Sequence, residues 1–124
     1  MINHKVKCAN FEIANNKSFT LIAGPCQLES EQHALDISKE LKKITTDLKI
    51  NLIYKTSFDK ANRTSIKGTR GIGLEKSLSI FDKVRNEVGI PILTDIHTAE
   101  QCSLVAPHVD VLQIPAFYVD KLTY

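Results

Sequence analysis

Four apolar, β-rich segments of the sequence are each followed by polar residues that could do chemistry. "FTLIAG" leads into "PCQLES" and "NLIYKTS" into "FDKANRTS", while the third and fourth segments end in "TDIH" and "QIPAF". In parallel α/β proteins, the loops beyond the carboxyl ends of the strands build the active site. The sequence therefore predicts one functional face to which four loops contribute.

The second segment carries the clearest sign of a bound anion. Lys55 lies within an otherwise apolar strand, where an unpaired charge is costly, so we expect an anion as its partner. A basic loop with hydroxyls at Thr64 and Ser65 follows, and this combination suits a sugar phosphate. The alternative is a solvated basic loop. The other polar residues of this basic loop are Lys60, Asn62, Arg63, Lys67 and Arg70.

A cysteine and a histidine are candidate metal ligands, each with a structural alternative. Cys26 follows Gly24 and Pro25, and its thiolate could bind a soft or borderline metal. The alternative is a small buried cysteine. His97, two residues after Asp95, could be a ligand or a base, or a structural histidine at a strand end.

Alternating strand and helix patterns predict the fold that positions these residues. A small hairpin formed by residues 4–8 and 11–15 precedes strands at 19–24, 51–57, 90–96 and 109–117. Helices are predicted from a cap at Ser30 to about residue 48, over 74–89, and over 98–108. This order predicts a parallel sheet with helices outside. Since a (β/α)8 barrel needs about 250 residues, four such units form half a barrel or a small open sheet.

Composition narrows the functional class. The chain has 124 residues and a formal net charge of +2, too small an excess to indicate nucleic acid or an acidic membrane as partner. It has no apolar run of membrane-spanning length, and its first residues lack the apolar core of a signal peptide. Three widely spaced cysteines fit reduced thiols, so a cytoplasmic location is predicted.

The segment "KTSFDKANRTSIKGTRGIGLE", with "AGPCQLES", "TDIH" and "QIPAF", resembles the 3-deoxy-D-manno-octulosonate 8-phosphate (KDO8P) synthases, also called 2-dehydro-3-deoxyphosphooctonate aldolases. The resemblance runs from the hairpin to Phe117. It implies the N-terminal half of a TIM (β/α)8 barrel, with about four β/α units after the hairpin, and usually a homotetramer. The implied reaction condenses phosphoenolpyruvate with D-arabinose 5-phosphate in lipopolysaccharide biosynthesis.

The resemblance also implies roles for ten residues. Lys55 and Lys60 would hold phosphoenolpyruvate and orient the aldehyde, and Asp95 would lie near the sugar. The residues that would grip arabinose 5-phosphate are Asn62, Arg63 and Thr64, where the family more often has serine at the last position. The residues that would line the phosphoenolpyruvate phosphate are Gln113, Pro115, Ala116 and Phe117.

Cysteine at position 26 implies the metal-dependent class of these synthases, with a divalent metal that would orient the aldehyde and a water. The family's other ligands are a histidine, a glutamate and an aspartate from later strands, which are absent from this chain. A single thiolate makes an incomplete metal site.

The last seven residues depart from the family's pattern. After "IPAF" the family usually continues "LCRQTDL", whereas this chain has "YVDKLTY", with Asp120 in the place of a phosphate-binding arginine. Tyr118 to Tyr124 can be encoded by the codons TAT GTA GAC AAA CTG ACT TAT. With one T in front, they read TTA TGT AGA CAA ACT GAC TTA, which encodes the family's segment. We therefore expect residues 1–117 to be a half-barrel, residues 118–124 a frameshifted tail, and the 124-residue chain an incomplete domain, inactive alone.

Two other functions stay open. One is a related 3-deoxy-heptulosonate-phosphate synthase, which shares the phosphoenolpyruvate chemistry but uses a tetrose phosphate. The other is a non-catalytic half-barrel that dimerises or pairs with a separately translated second half.

Overall fold

A computed structural model gives the fold, and it describes residues 2–59 and 73–116. The elements in chain order are β1 (Lys5–Cys8), β2 (Phe11–Ala14), β3 (Thr20–Ala23), α1 (Glu31–Asp47), β4 (Asn51–Lys55), α2 (Leu74–Glu87), β5 (Ile92–Asp95), α3 (Ala99–Val105), a 3-10 turn (Ala106–His108) and β6 (Val111–Gln113).

The strands form two sheets. β1 and β2 pair in an antiparallel hairpin, and the other four strands form a parallel sheet in the order β3-β4-β5-β6. A helix follows each of the first three parallel strands. The predicted α/β class is confirmed, since a hairpin followed by four sequential parallel strands agrees with part of a TIM-barrel-like fold.

Local signals explain where the helices begin and end. Ser30 caps α1, and its Oγ accepts a hydrogen bond of 3.0 Å from the backbone N–H of His33. Gly89 follows the end of α2 with φ of 74°, a conformation that glycine adopts without strain. α3 gives way to a 3-10 turn at Pro107, because proline cannot continue the α-helical hydrogen bonding. Among the described residues, no helix is long and apolar enough to cross a membrane.

The two faces of the parallel sheet pack against different partners. On one face Leu52, Tyr54 and Ile92 pack against α1 and α2 in the main core. Side chains alternate along a strand, so the intervening residues Ile53, Leu93 and Val111 lie on the opposite face. They pack against the hairpin through three residues, Cys8, Phe11 and Ile13. We call this second face the inner face.

The strands are shorter than predicted. Within the described part of the predicted strand at 109–117, regular pairing is confined to Val111–Gln113, and Pro115 has no N–H to extend the ladder. The predicted strand at 51–57 ends as a regular strand at Lys55, although Ser57 still forms one bridge to Gln27. The proposed tail at 118–124 lies outside the described residues.

Candidate active site

The carboxyl ends of β3 and β4 are joined closely. Beyond β3, the backbone carbonyl of Cys26 accepts a hydrogen bond of 3.4 Å from the N–H of Ser57, and Leu28 N–H donates to Ser57 at 2.8 Å. A Cβ on Gly24 would lie 1.8 Å from the carbonyl oxygen of Lys55. Only glycine therefore permits this approach, which sets Cys26 beside the end of β4.

Lys55, Asp95 and Gln113 form a polar layer above the apolar part of the inner face. Each lies two residues beyond one of the apolar residues that contact the hairpin, on β4, β5 and β6 respectively. Asp95 is also the direct register partner of Gln113. The inner face is therefore apolar where it contacts the hairpin and polar at the carboxyl ends of three adjacent strands.

Asp95 is paired with His97. The Nε2 atom of His97 lies 3.0 Å from Oδ2 of Asp95, and their side chains are only 8% and 14% exposed. A carboxylate accepts hydrogen bonds, so Nε2 is the protonated nitrogen that donates. The second oxygen, Oδ1, is buried and has no hydrogen-bond partner of regular geometry among the described residues.

The environment of Asp95 holds its carboxyl group ionised. Burial by itself raises the pKa of Asp95, but hydrogen bonds from His97 and Ser57 and the electrostatic interaction with His97 lower it. The net pKa lies below the ordinary value for aspartic acid. At neutral pH this group can therefore only accept hydrogen bonds.

The loop that carries His97 is held at three points. Ile96 N–H donates to the carbonyl of Gln113 at 3.0 Å, and His97 N–H donates to Oε1 of Gln101 at 2.7 Å. The ring of Phe58 packs edge-on against the imidazole, with centroids 5.6 Å apart and an interplanar angle of 61°. The ends of β4, β5 and β6 thus all fix the position of His97.

The described residues do not form a complete metal site. Cys26 is exposed at the end of β3, but residues 2–59 and 73–116 contain no group of three His, Cys, Asp or Glu side chains that could hold a metal. The donor set of these described residues therefore does not fit the metal implied for Cys26.

The structure tests the position of only part of the predicted site. Lys55, Asp95 and Gln113 lie together at the strand ends, and Pro115 and Ala116 follow β6 directly. The predicted residues Lys60, Asn62, Arg63, Thr64 and Phe117 lie outside the described residues.

Two contacts were missed from sequence. The sequence does not distinguish among a ligand, a base and a structural histidine at His97, and it does not predict the pairing of His97 with Asp95. Gln101 was not singled out, although Thr98-Ala-Glu-Gln matches the capping-box pattern S/T-x-x-E/Q and so carried a readable signal.

Comparison with known proteins agrees with the resemblance in sequence. The 2-dehydro-3-deoxyphosphooctonate aldolase of Brucella anthropi is 58% identical over 115 residues, which are 93% of this chain and 42% of that protein. Those of Mesorhizobium japonicum and Brucella ovis are 57% identical with the same coverage. The chain thus spans about two fifths of the length of the curated relatives it matches. The sequence model of the DAHP synthetase I family matches residues 3–123, and the chain belongs to this family.

Proposed function

We propose that this chain contributes the phosphoenolpyruvate and sugar-phosphate sites of a KDO8P synthase, which condenses phosphoenolpyruvate with D-arabinose 5-phosphate to give 3-deoxy-D-manno-octulosonate 8-phosphate and phosphate. One observation carries the proposal. Lys55, Asp95 and Gln113 share the inner face at the ends of adjacent parallel strands, in a chain 57–58% identical to proteins named 2-dehydro-3-deoxyphosphooctonate aldolase.

In the proposed reaction, C3 of phosphoenolpyruvate attacks the C1 aldehyde of the pentose, and the C–C bond forms while positive character develops at C2. Water adds at C2 and phosphate leaves by C–O cleavage. The Lys55 ammonium stabilises the anionic groups of phosphoenolpyruvate and the developing aldehyde oxyanion. The Asp95 carboxylate accepts a hydroxyl of the sugar through Oδ1, and the Gln113 amide donates to phosphoenolpyruvate.

The remaining predicted residues complete the proposal. Lys60 would assist Lys55, and the loop residues Asn62, Arg63 and Thr64 would bind the sugar phosphate. Pro115, Ala116 and Phe117 would line the phosphoenolpyruvate phosphate. The homotetramer, the cytoplasmic location and the inactivity of the 124-residue chain alone stay predictions.

A chimera tests this function directly. The matching 115-residue segment of the Brucella anthropi relative is replaced by that of the present chain, and phosphate release is measured with phosphoenolpyruvate and arabinose 5-phosphate. Lys55→Met should lower kcat/KM about 100-fold or more, because it removes a charge that faces the reacting anions. Lys43→Met, on the exposed surface of α1, is the matched control and should leave kcat/KM unchanged. An inactive chimera, or one indifferent to Lys55→Met, would contradict the proposal.

The same assay separates the second candidate. The description of the matched family, DAHP synthetase I, favours a heptulosonate-phosphate synthase. That enzyme would prefer erythrose 4-phosphate, a tetrose phosphate, whereas our proposal predicts a preference for arabinose 5-phosphate. Turnover of either sugar by the purified 124-residue chain would overturn the prediction that it is inactive alone.

A further inference from the structure

We propose that Gln101 is a positioning residue for the Asp95–His97 pair, a role whose catalytic consequence rests on the function proposed above. The side-chain carbonyl of Gln101 accepts two backbone hydrogen bonds, 2.7 Å from the N–H of His97 and 3.3 Å from that of Thr98. The shorter of the two therefore ends on the residue whose ring binds Asp95.

This arrangement exceeds what a helix cap requires. In a capping box, the side chain at the third helical position bonds to the backbone N–H of the cap residue, which here is Thr98. The bond to His97 lies one residue outside the box. It joins the first turn of α3 to the backbone of the loop after β5.

The contact fixes a ring that has little freedom of its own. The imidazole lies between the carboxylate of Asp95 and the ring of Phe58, and its side chain is 8% exposed. With the backbone of His97 held by Gln101, Nε2 points at Oδ2 of Asp95. The carboxylate then keeps one orientation, in which the buried Oδ1 is left for a ligand hydroxyl.

Loss of Gln101 should release this orientation. The N–H of His97 would lose its partner, the loop would relax, and the imidazole would no longer hold Oδ2. Since Asp95 is the proposed sugar ligand, the effect should fall on the sugar phosphate and leave phosphoenolpyruvate binding unchanged.

The first test observes the hydrogen bond itself in the 124-residue chain. In proton NMR spectra, the Nε2-bound proton of His97 should be protected from exchange with water, and His97→Gln assigns its resonance. Gln101→Ala should abolish the resonance by rapid exchange, and Gln101→Glu should restore it, since a carboxylate oxygen can accept both backbone bonds.

Thr98→Ala is the matched control. It removes the other half of the same capping box but leaves Oε1 of Gln101 free to bind the N–H of His97. The resonance should persist in this variant. A resonance that survives in Gln101→Ala, or that is lost equally in Thr98→Ala, would overturn the positioning role.

The second test uses the chimera. Gln101→Ala should raise the KM for arabinose 5-phosphate about tenfold, the equivalent of one lost hydrogen bond, and leave the KM for phosphoenolpyruvate unchanged. Thr98→Ala should leave both KM values close to those of the parent chimera. Equal changes in both KM values would contradict the proposal. An inactive parent chimera would instead count against the proposed function, while the NMR comparison would still decide the role of Gln101.

Discussion

Asp95 shows how neighbouring residues set the charge of one buried group. Burial raises the pKa of its carboxyl, but the hydrogen bonds from His97 and Ser57, the electrostatic interaction with His97 and a backbone hydrogen bond together lower it by more. A carboxyl group with a lower pKa in the folded than in the unfolded chain stabilises the fold above its ordinary pKa. That contribution is lost as the pH falls through the lower, folded value.

The first prediction therefore concerns acid stability. Asp95→Asn should reduce the fall in the free energy of unfolding between about pH 5 and pH 2, because the substituted chain no longer takes up this proton on unfolding. Urea denaturation at several pH values measures the slope. Asp47→Asn, at the exposed end of α1, is the control. A slope in Asp95→Asn as steep as that of the unsubstituted chain would show that His97 and Ser57 do not lower the pKa.

Some of these residue-level features were readable from sequence, and others were not. Lys55 could be recognised because a charge ending an apolar strand is unusual, and Asp95 because it closes another such segment. The Asp95–His97 pair depends on the path of the loop that carries His97. Phe58, distant in sequence, packs against the His97 ring, and the side chain of Gln101 accepts a hydrogen bond from the His97 backbone. Periodicity contains no information about these contacts.

At the scale of elements, the three helix starts and the ends of α1 and α2 were predicted to within two residues, because caps are local signals. The end of α3, at Val105, lies three residues before the predicted one, since a 3-10 turn replaces its last residues. Contacts between elements carry no such local signal. Arg85, in the last turn of α2, donates to the carbonyl of Pro107, and its Nε lies 3.6 Å from Oδ2 of Asp110. Ser77 and Ile80 of α2 are buried, and the hydroxyl of Ser77 donates to the carbonyl of Gly73. A serine can thus face the core because the helix backbone satisfies its hydroxyl.

The spacing of two strands gives the second prediction. Gly24→Ala would place a Cβ 1.8 Å from the carbonyl oxygen of Lys55, and this backbone cannot move without breaking the pairing of β3 with β4. We expect a loss of about 3 kcal/mol or more in the free energy of unfolding. Thermal or urea unfolding measures it.

Gly89→Ala is the matched control for this prediction. An alanine at this position would be strained by the backbone φ of 74°, but its Cβ would lie 3.7 Å from the nearest atom, Nζ of the flexible Lys42 side chain. The substitution should cost about 1–2 kcal/mol. If the two substitutions cost the same, close strand approach is not what requires glycine at position 24.

At the scale of the whole molecule, the inner face is only partly covered. The hairpin contacts Ile53, Leu93 and Val111 on three of the strands. Ile22, on the same face of β3, is 49% exposed. Among the described strands, β3 pairs only with β4 and β6 only with β5, so both outer strands have an open edge. Open edges beside exposed apolar side chains favour association with another chain.

The last prediction follows from this combination of edge and apolar surface. The 124-residue chain should associate with increasing concentration in sedimentation experiments, and Ile22→Lys should reduce that association, because a charged side chain on an edge strand disfavours pairing with a second chain. Ile44→Lys is the matched control, since Ile44 is 47% exposed on α1, away from the sheet edges. Undiminished association in Ile22→Lys, or an equal decrease in Ile44→Lys, would show that contacts elsewhere on the surface hold the chains together.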